Sequence, residues 1–177
     1  ITVTDTVSNA SSALSVNTFV VDTTAATVAE VTVVTTLSND NTPSYTFSSN
    51  EAGNISYGGS CSSSTTSATS GNNAITFNTL ADGSYSNCTV KVTDNATNQS
   101  DTLSVGSFTI DTTAPTVDNV SSSSFDGDYY PGDNITITVS FNDNVIVENS
   151  SGNPRIQLET GTNDRYANYV SGNSSST

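Results

Sequence analysis

Histidine, methionine and tryptophan are absent from the 177 residues, and only Lys91, Arg155 and Arg165 are basic. Without His, the Ser-His-Asp and Cys-His routes to an activated nucleophile are closed. Two cysteines without His cannot complete the usual tetrahedral zinc set. Carboxylate pairs such as Asp126 and Asp128 occur in Gly-Asp turns, where acids serve backbone geometry. No phosphate cradle and no EF-hand loop occurs, and the chain is not expected to be an enzyme. Three bases against 17 acids give a net charge of -14. There is no basic patch to displace counterions, so nucleic acid is excluded as a partner. The same charge opposes anionic membrane surfaces and attracts divalent cations. No run of about 18 apolar residues exists, so no direct membrane insertion is expected in this segment.

What is abundant is small and polar. Ser, Thr and Asn account for 82 residues, and the apolar fraction is 33%. The apolar residues fall in short alternating runs rich in Val, Ile, Phe and Tyr, the pattern of thin sheets with one solvated face. Nothing has helical periodicity. The chain also repeats itself: residues 1–31 align with residues 90–120 at a constant offset of 89, with 16 identities. Asp5, Asn9, Leu14, Val16, Phe19 and Asp22 match Asp94, Asn98, Leu103, Val105, Phe108 and Asp111. Such self-similarity marks a tandem array.

The repeat divides the chain. Residues 1–22 are expected to be the C-terminal strands of a preceding repeat that begins upstream, with the final strand over 13–21. Residues 23–27 are a linker. Residues 28–111 are one complete repeat, with strands expected at 28–37, 44–47, 54–57, 74–80, 85–93 and 102–110 and a bulge or sheet entry near Ser86 and Asn87. Residues 62–70, almost all Ser and Thr, form either an edge strand or a loop. Residues 112–115 are a second linker, stiffened by Pro115, and residues 116–177 are the N-terminal part of a further repeat. The expected core of the complete repeat is Val31, Val33, Phe47, Ile55, Tyr57, Ile75, Phe77, Tyr85, Val90, Val92, Leu103, Val105 and Phe108. Six or seven short strands at this spacing predict an all-β fold of immunoglobulin-like sandwiches in tandem. Cys61 and Cys88 lie within the complete repeat. The acidic, hydroxyl-rich composition favours an extracellular location and a disulfide between them, worth about 3 kcal/mol, over two buried thiols.

The string Leu80-Ala-Asp-Gly-Ser-Tyr85, then Val90-Lys-Val-Thr-Asp94, Asn98 and Phe108-Thr-Ile-Asp-Thr-Thr-Ala-Pro115, resembles the bacterial immunoglobulin-like domains of large surface adhesins and extracellular fibres. Asp126-Gly-Asp-Tyr-Tyr-Pro-Gly-Asp133 resembles a related bacterial repeat. One departure stands out: the family has Gly before the Asn of its Asp-x-x-Gly-Asn turn, where this chain has Thr97 and Ser8. The resemblance implies an extracellular or cell-surface location and a structural role as a stiff spacer in a fibre or adhesin stalk. It implies neighbouring repeats of the same chain, or identical subunits, as partners, with host or surface glycans and proteins met through other domains. It also implies structural calcium at the joints. The candidate ligands are Asp94, Asn98 and Asp111 with Asp126, Asp128 and Asp133 at one joint, and Asp5, Asn9 and Asp22, with Asp82 as an extra, at the other. Two alternatives stay open: a glycan- or protein-binding module, for which Tyr129 and Tyr130 are the aromatic candidates, and a filament subunit joined by inter-subunit strand complementation. Nine Asn-x-Ser/Thr sequons occur, Asn173 among them; a bacterial source argues against N-glycans on them, and an archaeal or eukaryotic source would favour them.

Overall fold

The computed structural model describes residues 1–172. The Asn173 sequon and the end of the 116–177 segment lie outside the described residues. The chain divides into two compact units, Ile1–Thr112 and Thr113–Thr177.

In the first unit, β1 (Val28–Thr32), β2 (Ser44–Ser49) and β5 (Gly71–Thr76) form one antiparallel sheet in the order β1-β2-β5. Opposite it, β4 (Ser67–Ala68), β3 (Gly53–Gly58), β7 (Thr89–Asp94) and β8 (Leu103–Ser104) form the second, in the order β4-β3-β7-β8. A ribbon of β6 (Gly83–Tyr85) and β9 (Phe108–Ile110) completes the unit. The chain after β1 crosses over to lie parallel to β9, where the Ser38 amide donates to Thr109 and Asp111 donates back to Ser38. Burial alternates along the central strands, as a two-layer sandwich demands. Tyr45, Phe47, Val90 and Val92 are fully buried. The rings of Tyr45, Phe77, Phe108 and Tyr85 stack in series, with centroids 5.9, 6.4 and 5.2 Å apart.

The expected run over 85–93 is broken into β6 and β7 at Ser86 and Asn87, where a sheet entry was foreseen. The 62–70 stretch holds the short edge strand β4, paired with β3. Cys61 and Cys88 are joined in a disulfide with Cα atoms 5.2 Å apart. Two core assignments are corrected. Val31 and Val33 are 46% and 57% exposed, while Ala26, Val34 and Tyr45 lie in the core. The cause is the pairing with β2: Val28 and Glu30 stand opposite the buried Ser49 and Phe47 and share their face, so the odd-numbered Val31 falls on the other side.

The N-terminal segment keeps the hairpin of its distant copy. In the β7–β8 connection, Asp94 N donates to Asn98 O (3.0 Å), Thr97 N to Asp94 O (3.2 Å) and Ser100 N to Val92 O (2.8 Å). At residues 3–11, Asp5 N donates to Asn9 O (2.9 Å), Ser8 N to Asp5 O (3.1 Å) and Ser11 N to Val3 O (2.8 Å). Thr97 and Ser8 both adopt positive φ, 73° and 71°. The left-handed turn therefore persists where the family's Gly is replaced. The strand expected over 13–21 is not formed, and Val16, Phe19 and Val21 are exposed; a strand needs a sheet to pair with, and none lies beside this stretch.

The second unit contains two antiparallel pairs. β10 (Val117–Ser122) pairs with β11 (Ile137–Phe141), and β12 (Arg155–Leu158) pairs with β13 (Arg165–Asn168). The first pair reproduces β1–β2. Thr27 N donates to Asn50 Oδ1 and Asn50 N donates back to Thr27 O; Thr116 and Asn142 make the same exchange at 2.8 and 3.1 Å. Each pair carries one register shift, at the end of β1 between Glu30 and Thr32 and at the start of β10 between Val117 and Asn119. No helix occurs among the described residues, so none is long and apolar enough to cross a membrane.

Candidate metal centre

Several contacts converge where the chain enters the sandwich. Gly53 pairs with Asp94 across β3 and β7. A Cβ on Gly53 would stand 2.3 Å from the Thr93 carbonyl, so only glycine lets the two strands approach here. Just before it, the Ser49 hydroxyl donates to Glu51 O at 2.6 Å and folds Glu51 over the strand end. The Thr27–Asn50 exchange ties the incoming chain to the same turn. Thr24 N donates to Asp22 Oδ1 at 3.0 Å, and the Asn98 amide nitrogen donates to Asp22 O at 3.2 Å.

Asp22, Glu51 and Asp94 thereby bring one carboxylate oxygen each to within 4.8 Å of one another. Asp22 is exposed, Glu51 half-buried and Asp94 buried. They line an open depression with Val20, Ala52, Asn95 and Ala96. Asp94 is fixed by Asn98, whose backbone N–H donates to Oδ1 (2.8 Å) and whose side-chain amide donates to Oδ2 (2.9 Å). The Asn98 amide is the main cause that holds the Asp94 carboxyl below its ordinary value; burial works against it, and the backbone N–H groups of Asn98, Ala96 and Thr97 add to it. Asp94 is thus ionised and pre-positioned. Three carboxylates offer up to six oxygens at one place, which suits a hard divalent cation that takes six to eight. Within the second unit, Asp133 Oδ2 accepts from Tyr130 N at 2.7 Å and is spent on its own turn.

The sequence-derived ligand set is only partly assembled. Asp22 and Asp94 come together with Asn98 as the clamp between them. Asp111 is not at their end of the sandwich. The chain leaves Asn98, runs antiparallel to β7 through β8 and continues through β9, so Asp111 emerges at the opposite end. The repeat partner Asp5 accepts from Asn9 N and Asn9 Nδ2, both at 2.9 Å, in its own hairpin and not in the cluster. The Asn9 amide is likewise the first cause that lowers the Asp5 pKa. Asp82 also belongs to the exit end, where its Oδ1 accepts from Thr112 N and Thr112 Oγ1 at 2.9 and 2.8 Å. Asp126 lines a separate depression in the second unit with Phe125 and Tyr129. Among the described residues, Asp128 joins no three-carboxylate group. Tyr129 is tethered through its hydroxyl to Phe125 O at 2.5 Å, and Tyr130 is exposed. Glu51 is the member of the carboxylate cluster that sequence reasoning missed. Its signal was the shared polar turn after β2 and β11, Asn50-Glu51 and Asn142-Asp143, which the offset of 89 conceals because three residues are inserted between.

Residues 35–112 match the family model of the bacterial Ig-like domain. This segment is a bacterial Ig-like domain. The Ig-like domain accounts for the sandwich and for the Tyr85 tether, in which the Tyr85 hydroxyl donates to Ala81 O at 2.8 Å. Tyr129 repeats that tether in the second unit, again to the carbonyl four residues before it. Neither the curated proteins nor the solved structures contain a significant match to the chain. Bacterial Ig-like domains are typically structural, non-enzymatic modules and are often surface-exposed.

Proposed function

We propose that the chain is a spacer segment of an extracellular fibre or adhesin stalk, holding a binding element away from a cell surface without catalysing a reaction. The observation that supports this is the recurrence of the Ig-like domain's own parts along the chain: the β7–β8 hairpin at residues 3–11 and the β1–β2 pair at β10–β11. A chain built from reiterated sandwich parts gains length, not a cleft. The disulfide and the acidic, hydroxyl-rich surface fit an oxidising, aqueous exterior. Antibody raised against the chain is expected to label intact, unpermeabilised cells of the source bacterium. Signal only after permeabilisation would overturn the reading.

The Asp22, Glu51 and Asp94 cluster is the proposed structural calcium site. When bound, calcium would cross-link the incoming chain, through Asp22, to the β2–β3 turn and the end of β7. The joint then resists bending because its three attachments share one ion. Melting of the full chain with calcium and with a chelator tests this. At ten times the dissociation constant, a native-state ligand adds about 1.4 kcal/mol. An unchanged melting temperature across millimolar calcium would sink the site.

A further inference from the structure

Among the described residues every β-pairing is antiparallel but one. Ser38 lies parallel to Ile110: the Ser38 amide donates to Thr109 O at 3.0 Å, and the Asp111 amide donates to Ser38 O at 2.9 Å. Both backbone groups of Ser38 are thus spent on the β9 path, although Ser38 belongs to the first stretch of the Ig-like domain and β9 to the last. A second contact joins the same two stretches. Gly106 N, just before β9, donates to Glu30 Oε2 on β1 at 3.1 Å. The chain is bent to make the first contact. Leu37 is exposed and holds φ at 54°, a left-handed conformation that is costly for a Leu. Such strain persists only where the surroundings fix the backbone beside it, and here the two Ser38 bonds do so.

The direction of the two stretches decides what these contacts do. The incoming chain reaches β1 at the end of the sandwich that holds Asn50 and Asp94, and runs from there to Ser38. The outgoing chain leaves through β9 and Asp111 at the opposite end. A pull on the two chain ends draws β1 and Ser38 back toward the entry end and β9 toward the exit. Hydrogen bonds lying across both stretches are then loaded sideways and together, not opened one by one as when a hairpin is peeled. We infer that Ser38 on Thr109 and Asp111, with Glu30 on Gly106 as a second fastening, forms a shear lock that sets how long the Ig-like domain withstands tension along the chain. The core opens after the lock parts, because β1 and β9 are the strands through which the load enters and leaves. Lifetime under load is set by a barrier and not by equilibrium stability. Contacts broken at the barrier therefore shorten it when removed, and contacts still intact there do not. The inference does not rest on the spacer reading, since the order in which bonds break belongs to the domain wherever it is displayed.

The full chain, held by its two ends at constant load, tests this. The step of the Ig-like domain is recognised by its length, which covers residues 28–111 less those closed off by the Cys61–Cys88 bridge. Asp111→Pro removes the amide that donates to Ser38, and Ile110 in β9 is already extended, as the residue before a proline should be. Asp111→Ala lacks the same carboxylate but keeps the amide. Losing one backbone hydrogen bond at the barrier should shorten the lifetime of Asp111→Pro about fivefold relative to Asp111→Ala. Glu30→Ala, at an exposed residue, should shorten the wild-type lifetime at least about twofold. Ser100→Ala gives the contrast. Its hydroxyl accepts from Val92 N at 3.0 Å within the β7–β8 connection, away from both loaded stretches, so its loss should lower the melting temperature and leave the lifetime under load unchanged. Should Asp111→Pro fail to fold, Glu30→Ala set against Ser100→Ala decides alone. Equal lifetimes for Asp111→Pro and Asp111→Ala, an unshortened lifetime for Glu30→Ala, or a Ser100→Ala lifetime that falls as far as that of the lock variants would overturn the inference.

Discussion

Replacing Cys61 and Cys88 together by Ala should cost the Ig-like domain a large part of its stability. The bridge links residues 27 apart in sequence, and closing a loop of that length removes denatured-state entropy worth between about 3 and 4 kcal/mol. Both sulfurs are buried, at 4% and 2% residue exposure, so truncation to Ala adds a small packing loss in the same direction. A domain of roughly 80 residues has a total stability on the order of 4–12 kcal/mol. The bridge therefore supplies a third or more of it. At about 4–8 °C per kcal/mol for this size, the melting temperature should fall by about 15–25 °C.

A second readout separates a bridged domain from one merely loosened by mutation. Pulled from its ends, the oxidised domain cannot release the residues between Cys61 and Cys88. Their extended length is about 90 Å at roughly 3.5 Å per residue, and the Cα–Cα separation of 5.2 Å is all that the closed bridge contributes. Single-molecule extension should show each unfolding step lengthen by about that amount when reductant is added. The double Ala variant should show the longer step with or without reductant. A melting shift under about 3 °C together with an unchanged step length would refute the reasoning: the thiols would then be unbridged in the protein as isolated.

Three further outcomes are expected. Thr97 holds φ at 73°, a conformation that costs a β-branched residue about 1–2 kcal/mol; Thr97→Gly should raise the melting temperature by a few degrees, and a drop would show that the hydroxyl matters more than the strain. The Tyr45 hydroxyl is buried without a hydrogen-bond partner, and burial, then the nearby Glu30 charge, raises its pKa; Tyr45→Phe should be neutral or stabilising by about 1 kcal/mol in urea denaturation, and a clear loss would show a hydrogen bond to Glu30. The Asp94 pKa is depressed in the fold, so its contribution is fully present above the unfolded value of 3.8 and is lost as pH falls through the folded value; wild-type melting should drop below about pH 4 more steeply than that of Asp94→Asn, and parallel curves would refute the assignment.

Much of the sandwich was legible because its alternation is undisturbed: Phe47, Ile75, Phe77, Val90, Val92 and Phe108 lie where parity put them. Legibility failed in β1, where the ladder and not the apolar pattern chooses the inner face. Val28 and Glu30 stand opposite the buried Ser49 and Phe47, which leaves Val31 outside; past the strand's end Val33 is exposed and Val34 is buried. An apolar run of Val31, Val33 and Val34 contains no mark of which parity faces the core, because β2 across the ladder decides it. The final strand at 13–21 failed for a related reason: its pattern is that of β8 and β9, but pattern without a partner sheet does not make a strand.

The candidate carboxylate cluster was harder to read because many acids in this chain are occupied by backbone. Asp5, Asp22, Asp40, Asp82, Asp94 and Asp133 each accept at least one backbone N–H, the ordinary use of Asp in turns. A sequence shows that such acids lie near strand ends, but not which end of the sandwich they share. The antiparallel return through β8 and β9 decides that, separating Asp111 from Asp94, while the β2–β3 turn, silent in the repeat alignment, delivers Glu51. The periodic residue Asp22 therefore acts with the domain that follows it rather than with the hairpin of Asp5 and Asn9 that precedes it. A ligand set read along one repeat is split between ends; one read across the entry of the next element is brought together. Glu51→Gln should accordingly weaken any calcium-dependent rise in melting temperature, and Asp5→Asn should leave it unchanged.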